Sequence, residues 1–476
     1  AWDVRPKKEG GQRWFHLYPD EKIAFDDELH WTRPSQNWNS MCAECHSTDL
    51  QKNYDPESRT FSTSWSEIDV SCEACHGPGS NHVFWAQKKP GWEQFESGHG
   101  LVLALDERKG VAWVIDPETG DAKRSVPRQS EREIEMCARC HARRGPITDG
   151  YVHGDRLMDH YMPRRLDEGR YFADGQMDDE VYVYGSFLQS RMHQAGVTCS
   201  DCHEPHDLSL RAPDNVVCLQ CHRADKYDVT QHHRHQQGST GASCAECHMP
   251  PRDYMVVDPR HDHSMRVPRP DLSVELGTPN ACNQCHGDKS SQWAADKVTA
   301  WYGQTPKGAQ RYADALHGTR NREPKAGDAL ANLIRDTRTP DIARATAVAE
   351  IGPFLNRNNA DVLQTGLTDA DPMVRAATLS ALESVPLGVQ VRLAWPLLGD
   401  PVRAVRIEAA RLLAAVPAGE LAGDQRRLLD GAVAEYIDSQ MAMAERPEAW
   451  MSLGNLYAAR GEGDKAVAAY REAIVL

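Results

Sequence analysis

The pattern of apolar and polar positions changes abruptly near residue 325. From there the chain is rich in Ala, Leu, Val and Arg, and its apolar residues recur with helical periodicity. Leu393–Leu398 is among the most apolar short stretches, and it is far shorter than the roughly 18 apolar residues that a membrane-spanning helix needs. The sequence therefore predicts a helical C-terminal part and no membrane span.

Related segments recur in this helical part. Arg344, Arg375 and Arg406 are 31 residues apart, and each follows an Asp by a few positions. This spacing predicts repeating helix pairs and resembles HEAT-like repeats over residues 325–435. Residues 436–476 match the order and spacing of a tetratricopeptide repeat of about 34 residues. The matching positions are Trp450, Leu453, Gly454, Tyr457, Ala466, Tyr470 and Ala473.

The last repeat stops at Leu476, before its usual late Pro and without a capping helix, so we expect more chain to follow. Two roles for the helical part stay open. It is a structural brace for the rest of the chain, or it offers a concave surface that docks a partner or a second copy.

The composition excludes several classes of protein. The chain has 476 residues, a formal charge of −15, 40% hydrophobic and 26% charged residues. At about 100–200 residues per domain, this length predicts about two to four folded units. Because the balance is acidic and no Lys/Arg block is present, phosphate neutralisation cannot drive binding, and we expect no nucleic-acid partner.

Cysteine and histidine are confined to the other part of the chain. All 14 Cys lie between Cys42 and Cys285, and 20 of the 21 His lie at or before His286. Every Cys belongs to a Cys-x-x-Cys-His motif, and we number the motifs 1 to 7 in chain order. They are Cys42, Cys45 and His46; Cys72, Cys75 and His76; Cys137, Cys140 and His141; Cys199, Cys202 and His203; Cys218, Cys221 and His222; Cys244, Cys247 and His248; and Cys282, Cys285 and His286.

This motif is typical of covalent haem c attachment. Two thiols form thioethers with the porphyrin, and the adjacent imidazole reaches the iron from one face. Zinc sites, redox dithiols and disulfides also use Cys-x-x-Cys, but they give no reason for a His directly after every second Cys. The sequence therefore predicts seven covalent haems.

About 245 residues, from Cys42 to His286, enclose these seven groups. Such a segment cannot hold an ordinary side-chain core, so haem faces must supply much of its buried apolar surface. We expect a mainly α protein with a haem-filled multihaem cytochrome c domain over residues 1–320, short helices, few strands and closely spaced haems. An α-solenoid of helix pairs follows it.

Fourteen His lie outside the motifs and are candidates for the sixth iron ligand. His82 and His206 follow motifs 2 and 4 so closely that each lies on the same face of its own haem. Each must therefore serve a neighbouring haem. Met192 and Met249 are thioether alternatives, although Met more often packs in a core.

Four segments resemble a known group of proteins. They are CEACHGPGSNH at 72–82, GVTCSDCHEPH at 196–206, HHRH at 232–235 before GASCAECHMP at 241–250, and DHSMRVPRP at 262–270. They resemble bacterial multihaem cytochromes c with C-terminal tetratricopeptide repeats. That broad group includes hydroxylamine oxidoreductases, pentahaem nitrite reductases and the tetrahaem cytochrome of ammonia oxidisers.

The resemblance implies a set of distal iron ligands without pairing them to haems. These are His16, His30, His82, His153, His206, His232, His235 and His263. The remaining candidates are predicted to be structural or surface residues, namely His99, His160, His193, His233, His261 and His317.

The chain departs from these relatives in two ways. They usually carry a further haem motif upstream of the Trp14–Pro19 segment, so we expect a missing N-terminal region with an eighth haem. Pentahaem nitrite reductases replace the motif His by Lys at their reactive haem, whereas all seven motifs here end in His. No catalytic residue is therefore assigned.

We expect an electron-transfer protein whose mostly bis-His haems relay electrons between a donor and an acceptor. One alternative is an oxidoreductase acting on a small nitrogen or sulfur compound at one five-coordinate haem. Another is a subunit of an extracellular cytochrome filament. Bacterial haem c attachment occurs outside the cytoplasmic membrane, which predicts a periplasmic or extracellular protein. Its partners would be redox proteins, docked on the helical repeats, or further copies of the chain.

Overall fold

The computed structural model describes residues 1–303 and 310–476. It is mainly helical, with 47% helix and 9% strand, which confirms the predicted mainly α class. Helices in the Cys-rich part are short, whereas those in the C-terminal part are longer and stack on one another.

Most helices of the Cys-rich part span one to three turns. They are α1 (Trp38–Met41), α2 (Cys72–His76), α3 (Ser80–Ala86), α4 (Arg132–His141), α5 (Leu157–His160), α6 (Tyr184–Leu188), α7 (Arg191–Gln194), α8 (Cys199–Cys202), α9 (Val216–Leu219), α10 (Ala224–Tyr227), α11 (Thr230–His233), α12 (Cys244–His248), α13 (Pro270–Leu276), α14 (Ala281–Cys285) and α15 (Ser291–Tyr302). Isolated helices of this length are not stable, so tertiary contacts must hold them.

The strands in the described residues form small antiparallel pairs. The pairs are β1 (Trp2–Asp3) with β2 (Arg13–Trp14), β3 (Ser47–Thr48) with β6 (Glu67–Ile68), β4 (Tyr54–Asp55) with β5 (Thr60–Phe61), β7 (Trp113–Ile115) with β8 (Ala122–Arg124), β9 (Arg144–Pro146) with β10 (Tyr161–Pro163), β11 (His203–Glu204) with β12 (Ser209–Leu210), and β13 (Pro251–Tyr254) with β14 (Asp258–His261). An isolated two-stranded pair is only marginally stable, so these pairs also depend on their surroundings.

The C-terminal part is a stack of helices. They are α16 (Ala313–Arg320), α17 (Ala326–Arg335), α18 (Asp341–Glu350), α19 (Asp361–Leu367), α20 (Pro372–Ala381), α21 (Leu387–Ala394), α22 (Arg403–Leu413), α23 (Gly423–Met441), α24 (Pro447–Ala459) and α25 (Gly463–Val475). Helix α18 packs on α20, and α20 packs on α22. Each helix therefore contacts its neighbours in the stack, as in repeat proteins.

The three arginines with the 31-residue spacing form the same interaction in successive layers of this stack. Arg344 pairs with Asp369, Arg375 with Asp400 and Arg406 with Glu435. In each case a guanidinium near the start of one helix reaches a carboxylate in the following layer. The sequence spacing thus corresponds to a recurring contact.

Short 3-10 turns connect several of these elements. They are Lys7–Glu9, Trp92–Phe95, Ser97–Gly100, Thr240–Ala242, Gly352–Phe354, Leu382–Ser384, Trp395–Gly399 and Ala418–Glu420.

The largest cluster of buried apolar side chains is shared by both parts of the chain. Leu166 and Tyr171 of the Cys-rich part belong to the same cluster as Leu316, Leu330 and Ile334 of the helical stack. Apolar burial is the main favourable contribution to folding, so this shared core fixes the two parts to each other.

Outside this cluster the Cys-rich part buries few apolar side chains. Residues 1–133 bury only Ala43 and Leu103 among their described hydrophobic residues. Residues 199–303 bury Ala242, Leu272, Ala294 and Val298 outside the cluster and contribute Tyr254 to it. These segments are too poor in side-chain core to explain their own folding, as expected of segments that pack around a large apolar group.

Polar contacts add to the join between the two parts. Lys52 Nζ lies 2.7 Å from Glu445 Oε2, and both side chains are largely buried. The main-chain N–H of Arg403 donates to Asp159 Oδ1 at 2.8 Å. Among the described residues, no helix is long and apolar enough to cross a bilayer.

Candidate haem-binding sites

The seven motifs lie on or directly after the short helices. In motif 2 both thiols and the imidazole lie on α2, and in motif 6 they lie on α12. A spacing of three residues puts two helical side chains on the same face, so the paired thiols point the same way. None of the fourteen Cys, all of which lie in the described residues, forms a disulfide.

Local sequence explains where several of these helices begin. The Asn280 side chain accepts the Asn283 N–H at the start of α14. Thr198 and Asp201 form a reciprocal capping box around α8. Such caps satisfy free N–H groups at a helix start, which fixes the orientation of motifs 7 and 4.

Four motif histidines face a second imidazole. The ring centroids of His76 and His206 are 6.2 Å apart, and their planes differ by 8°. The other three pairs have centroid separations of 6.1–6.2 Å and interplanar angles of 13–29°: His203 with His263, His232 with His248, and His235 with His286.

This separation fits an iron ion between the two rings. Rings stacked in direct contact would lie much closer together. A metal ion bonded to one nitrogen of each ring at about 2 Å keeps the two centroids about 6 Å apart. Each of these four imidazole pairs would therefore fit a haem iron bound by both rings.

Hydrogen bonds fix which nitrogen each ring presents. His76 Nδ1 donates to Leu103 O at 2.7 Å, and His248 Nδ1 donates to Arg266 O at 2.7 Å. The facing rings behave alike: His206 Nδ1 donates to Glu204 Oε1, His235 Nδ1 to His233 O and His263 Nδ1 to His261 O. When Nδ1 carries the proton, Nε2 keeps the lone pair that binds a metal.

The other four predicted distal ligands face no motif imidazole within the described ranges. His16 Nδ1 accepts the Tyr18 N–H, and His30 Nδ1 is hydrogen-bonded with Thr32 Oγ1. His82 lies beside Trp85 and donates to His99 O. His153 Nε2 donates to Ala74 O at 3.2 Å, so its Nε2 is engaged with the main chain of motif 2.

Three motif histidines likewise lack a facing imidazole among the described residues, namely His46, His141 and His222. His222 Nδ1 is held by Asp121 Oδ1 at 2.8 Å, which is the same orienting contact seen at the paired sites. Burial lowers the pKa of His141, and the nearby Arg260 and His203 lower it further.

The histidines predicted to be structural are mostly held by polar partners. Both ring nitrogens of His160 are engaged, by Thr148 and Gly150 on one side and by Asp155 on the other. His193 is bonded with Glu131, and His233 with Gln237.

His99 and His261 are also predicted to be structural, and each lies close to a predicted ligand or to a motif. His99 packs on Trp85 with a centroid separation of 4.3 Å. His261 donates from Nδ1 to Met249 O, as the paired rings do. His317 lies on α16, outside the Cys-rich part.

Sequence reasoning did not find the groups that orient the imidazoles. The carbonyls of Leu103 and Arg266 and the carboxylate of Asp121 belong to no motif. A carbonyl leaves no signal in a sequence, because every residue has one. Only the fold determines which carbonyl lies beside a given ring.

Motif 3 lies against three other motifs. Cys45 Sγ is 4.0 Å from Cys140 O, which brings motif 1 to motif 3. Arg139, inside motif 3, donates to Ala74 O of motif 2 at 2.7 Å. Glu133, on the same helix as motif 3, accepts the main-chain N–H of Ser200 in motif 4 at 2.6 Å.

The later motifs follow one another in space as they do in sequence. The β7–β8 hairpin joins motifs 4 and 5: Trp113 donates to Asp201 Oδ1, and the N–H of Ala122 donates to Cys221 O. Asn215 Oδ1, beside motif 5, accepts the N–H of Cys244 in motif 6.

Motif 6 is followed directly by motif 7. Gln284, inside motif 7, donates to Pro251 O, three residues after motif 6. Together with the contacts around motif 3, this arrangement connects all seven motifs: motifs 1, 2 and 4 each contact motif 3, and motifs 4 to 7 follow one another.

Comparison with known proteins gave one family match and one structural match. A family model described as cytochrome c554 and c-prime matches residues 13–77, which contain motifs 1 and 2. A search of curated proteins gave no match. A solved structure titled outer cell wall cytochrome OcwA aligns with 73% of this chain and 76% of its own, at 17% identity and a TM-score of 0.37. The family match supports a multihaem c-type cytochrome with covalently bound haem.

Proposed function

We propose that this protein relays electrons between a donor and an acceptor outside the cytoplasm, through seven haem c groups held by motifs 1 to 7. When bound, haem c supplies reversible one-electron chemistry at its iron. The observation that carries the proposal is the set of four facing imidazole pairs with ring centroids 6.1–6.2 Å apart.

The residues of the chain serve this function in two ways. Two imidazoles per iron leave no open coordination position and keep the geometry constant between redox states. Nδ1 hydrogen bonds hold each ring at one angle and in one tautomer, which tunes the iron potential. The contacts between consecutive motifs hold neighbouring sites close, which is what a series of one-electron steps requires.

The distal ligands in this proposal are His206 for motif 2, His263 for motif 4, His232 for motif 6 and His235 for motif 7. For the sites of motifs 1, 3 and 5 we keep His16, His30, His82 and His153 as candidates.

We further propose that the helical repeats brace the haem part. The shared apolar core and the Lys52–Glu445 ion pair support this role over that of a free docking surface. The haem attachment chemistry supports an exported protein, periplasmic or extracellular.

The relay is tested by giving the full-length haem protein less than one electron per chain and following its redistribution by visible absorption. Cys218→Ser/Cys221→Ser removes the haem of motif 5, which lies between motifs 4 and 6. Cys282→Ser/Cys285→Ser removes that of motif 7, at the end of the run of motifs 4 to 7, and is the matched control.

The unmodified protein and the control should equilibrate in one fast phase, whereas the motif 5 variant should equilibrate more slowly, because motifs 4 and 6 are then joined through residues 262–266 and no longer through a haem at motif 5. A motif 5 variant that equilibrates as fast as the control would contradict a serial relay.

A second function is favoured by one observation. His141 of motif 3, like His46 and His222, has no imidazole opposite it among the described residues, and motif 3 also contacts three other motifs. An open iron position there would suit a reductase or oxidase of a small nitrogen or sulfur compound. Turnover of nitrite or hydroxylamine by the full-length haem protein, abolished by removing motif 3 alone, would replace the carrier function by this one.

A further inference from the structure

A buried polar cluster connects two of the facing imidazole pairs. Its members are Asp174, Gln176, Asp262, Ser264 and Arg266, each no more than 7% exposed. Arg266 Nη1 donates to Asp174 Oδ2 at 3.1 Å, and its Nε donates to Ser264 Oγ at 3.1 Å. Asp262 Oδ2 lies 3.7 Å from the same Nε. One guanidinium is therefore held by two carboxylates and a hydroxyl.

The main chain of Arg266 is bonded twice to motif 6. Its N–H donates to His248 O at 2.9 Å, and its carbonyl accepts His248 Nδ1–H at 2.7 Å. The orientation of the His248 ring, which faces His232, thus depends on where the Arg266 carbonyl points.

The same segment carries the imidazole that faces motif 4. His263 lies between Asp262 and Ser264 in the chain, and the Ser264 N–H donates to Asp262 Oδ1 at 2.9 Å. The His263 ring faces His203. Residues 262–266 therefore hold one ring of each of two pairs.

This segment contains a strained residue. Met265 has φ = +41°, which is unfavourable for a residue with a side chain. Such strain persists only where the surrounding structure imposes it. The neighbouring Arg266 side chain contributes to that constraint, because its guanidinium is bound to Asp174 and to Ser264.

We propose that Arg266 is a positioning residue for two haem sites at once, those of motifs 4 and 6. This inference rests on the proposed function. The buried Arg266 side chain sets the orientation of both His248 and His263. Loss of the Arg266 side chain releases the strain at Met265, and both imidazoles then change their angle to the iron. The changes at the two sites must appear together.

The test uses the full-length protein with its haems and compares Arg266→Gln with Arg344→Gln. Arg344 is a matched control because it is also buried between two carboxylates, Asp341 and Asp369, but lies in the helical stack. Low-temperature EPR and a redox titration are recorded for each. His263→Ala and His232→Ala identify the signals and potentials that belong to motifs 4 and 6.

We expect Arg266→Gln to alter two haem equivalents, those marked by the two histidine variants, and to leave the others unchanged. Arg266→Lys keeps the charge without the forked geometry and should give a smaller change at the same two sites. Arg344→Gln should lower the melting temperature without moving any haem signal. If Arg266→Gln does not accumulate, Asp174→Asn should produce the paired change instead.

Two results would overturn the inference. One is an Arg266→Gln protein, or in its place an Asp174→Asn protein, with haem signals identical to those of the unmodified protein. The other is a change spread evenly over all haems, as general loosening would give. Absence of low-spin haem from the unmodified protein would instead overturn the proposed function, and this inference with it.

Discussion

His206 lies opposite His76, with ring centroids 6.2 Å apart and ring planes within 8° of each other. The two rings belong to different motif segments, since His76 ends motif 2 and His206 follows motif 4 by three residues. A ligand placed this way ties two haem sites together. Removing His206 should change the spin state of the iron at motif 2. It should also weaken the contact between the segments of motifs 2 and 4.

We predict that His206→Ala converts one haem equivalent from low-spin to high-spin. The remaining imidazole at that site, His76, leaves the iron with an open position. EPR quantified against total haem measures this change. His317→Ala, in the helical stack, is the control and should leave all spin states unchanged; an unaltered His206→Ala spectrum would exclude His206 as a ligand.

Lys52→Met should lower the free energy of unfolding by about 3 kcal/mol, because it leaves the buried carboxylate of Glu445 unpaired. Lys52 also donates to Ala442 O, so two contacts between the chain's two parts are lost. Thermal or denaturant unfolding measures the effect. Arg59→Met removes the more exposed pair with Glu472 and should cost much less; equal losses would argue against a special role for Lys52.

Asp371 should make the helical stack less stable as the pH rises. Burial, with the nearby carboxylates Asp341 and Asp369, raises the pKa of Asp371 from 3.8 to about 6. Between pH 3.8 and about pH 6, the Asp371 carboxyl is protonated in the folded protein but ionised in the unfolded chain. The contribution to stability is therefore complete below pH 3.8 and is lost as the pH rises through about 6.

Asp371→Asn should remove this dependence, because Asn still caps α20 by accepting the N–H groups that Asp371 accepts. Relative to the unmodified protein, the variant should gain stability from pH 4 to pH 7, measured by denaturant unfolding. Asp361→Asn is the control: the hydrogen bond from Arg335 lowers the pKa of Asp361 below 3.8, so its contribution changes only at lower pH and its variant should show little pH dependence from pH 4 to pH 7. A pH-independent difference for Asp371→Asn would contradict the prediction.

Protein produced without haem attachment should lose order in residues 1–133 and 199–303. These segments bury few apolar side chains of their own, whereas the helical stack has a continuous core. Hydrogen exchange of the haem-free and haem-containing proteins measures this difference. Equal protection of both segments without haem would show that the chain alone folds them.

The sequence was sufficient for the motifs and for the fold class, since both depend on local spacing and periodicity. It was not sufficient to predict which distal His faces which motif His. His232 and His233 are adjacent, yet only His232 faces a motif imidazole within the described residues, because α11 turns the two rings in different directions. His82 and His206 both follow a motif closely, and only His206 has a motif ring opposite it in the described ranges. Contacts between segments distant in sequence make this difference.

The most direct test of the account is low-temperature EPR of the oxidised full-length haem protein, integrated against total haem. Four facing imidazole pairs predict at least four low-spin ferric haems per chain. Their nearly parallel ring planes predict rhombic low-spin signals, because both rings then act on the same iron d orbital. A spectrum dominated by high-spin ferric haem would contradict the bis-imidazole sites and, with them, the electron relay.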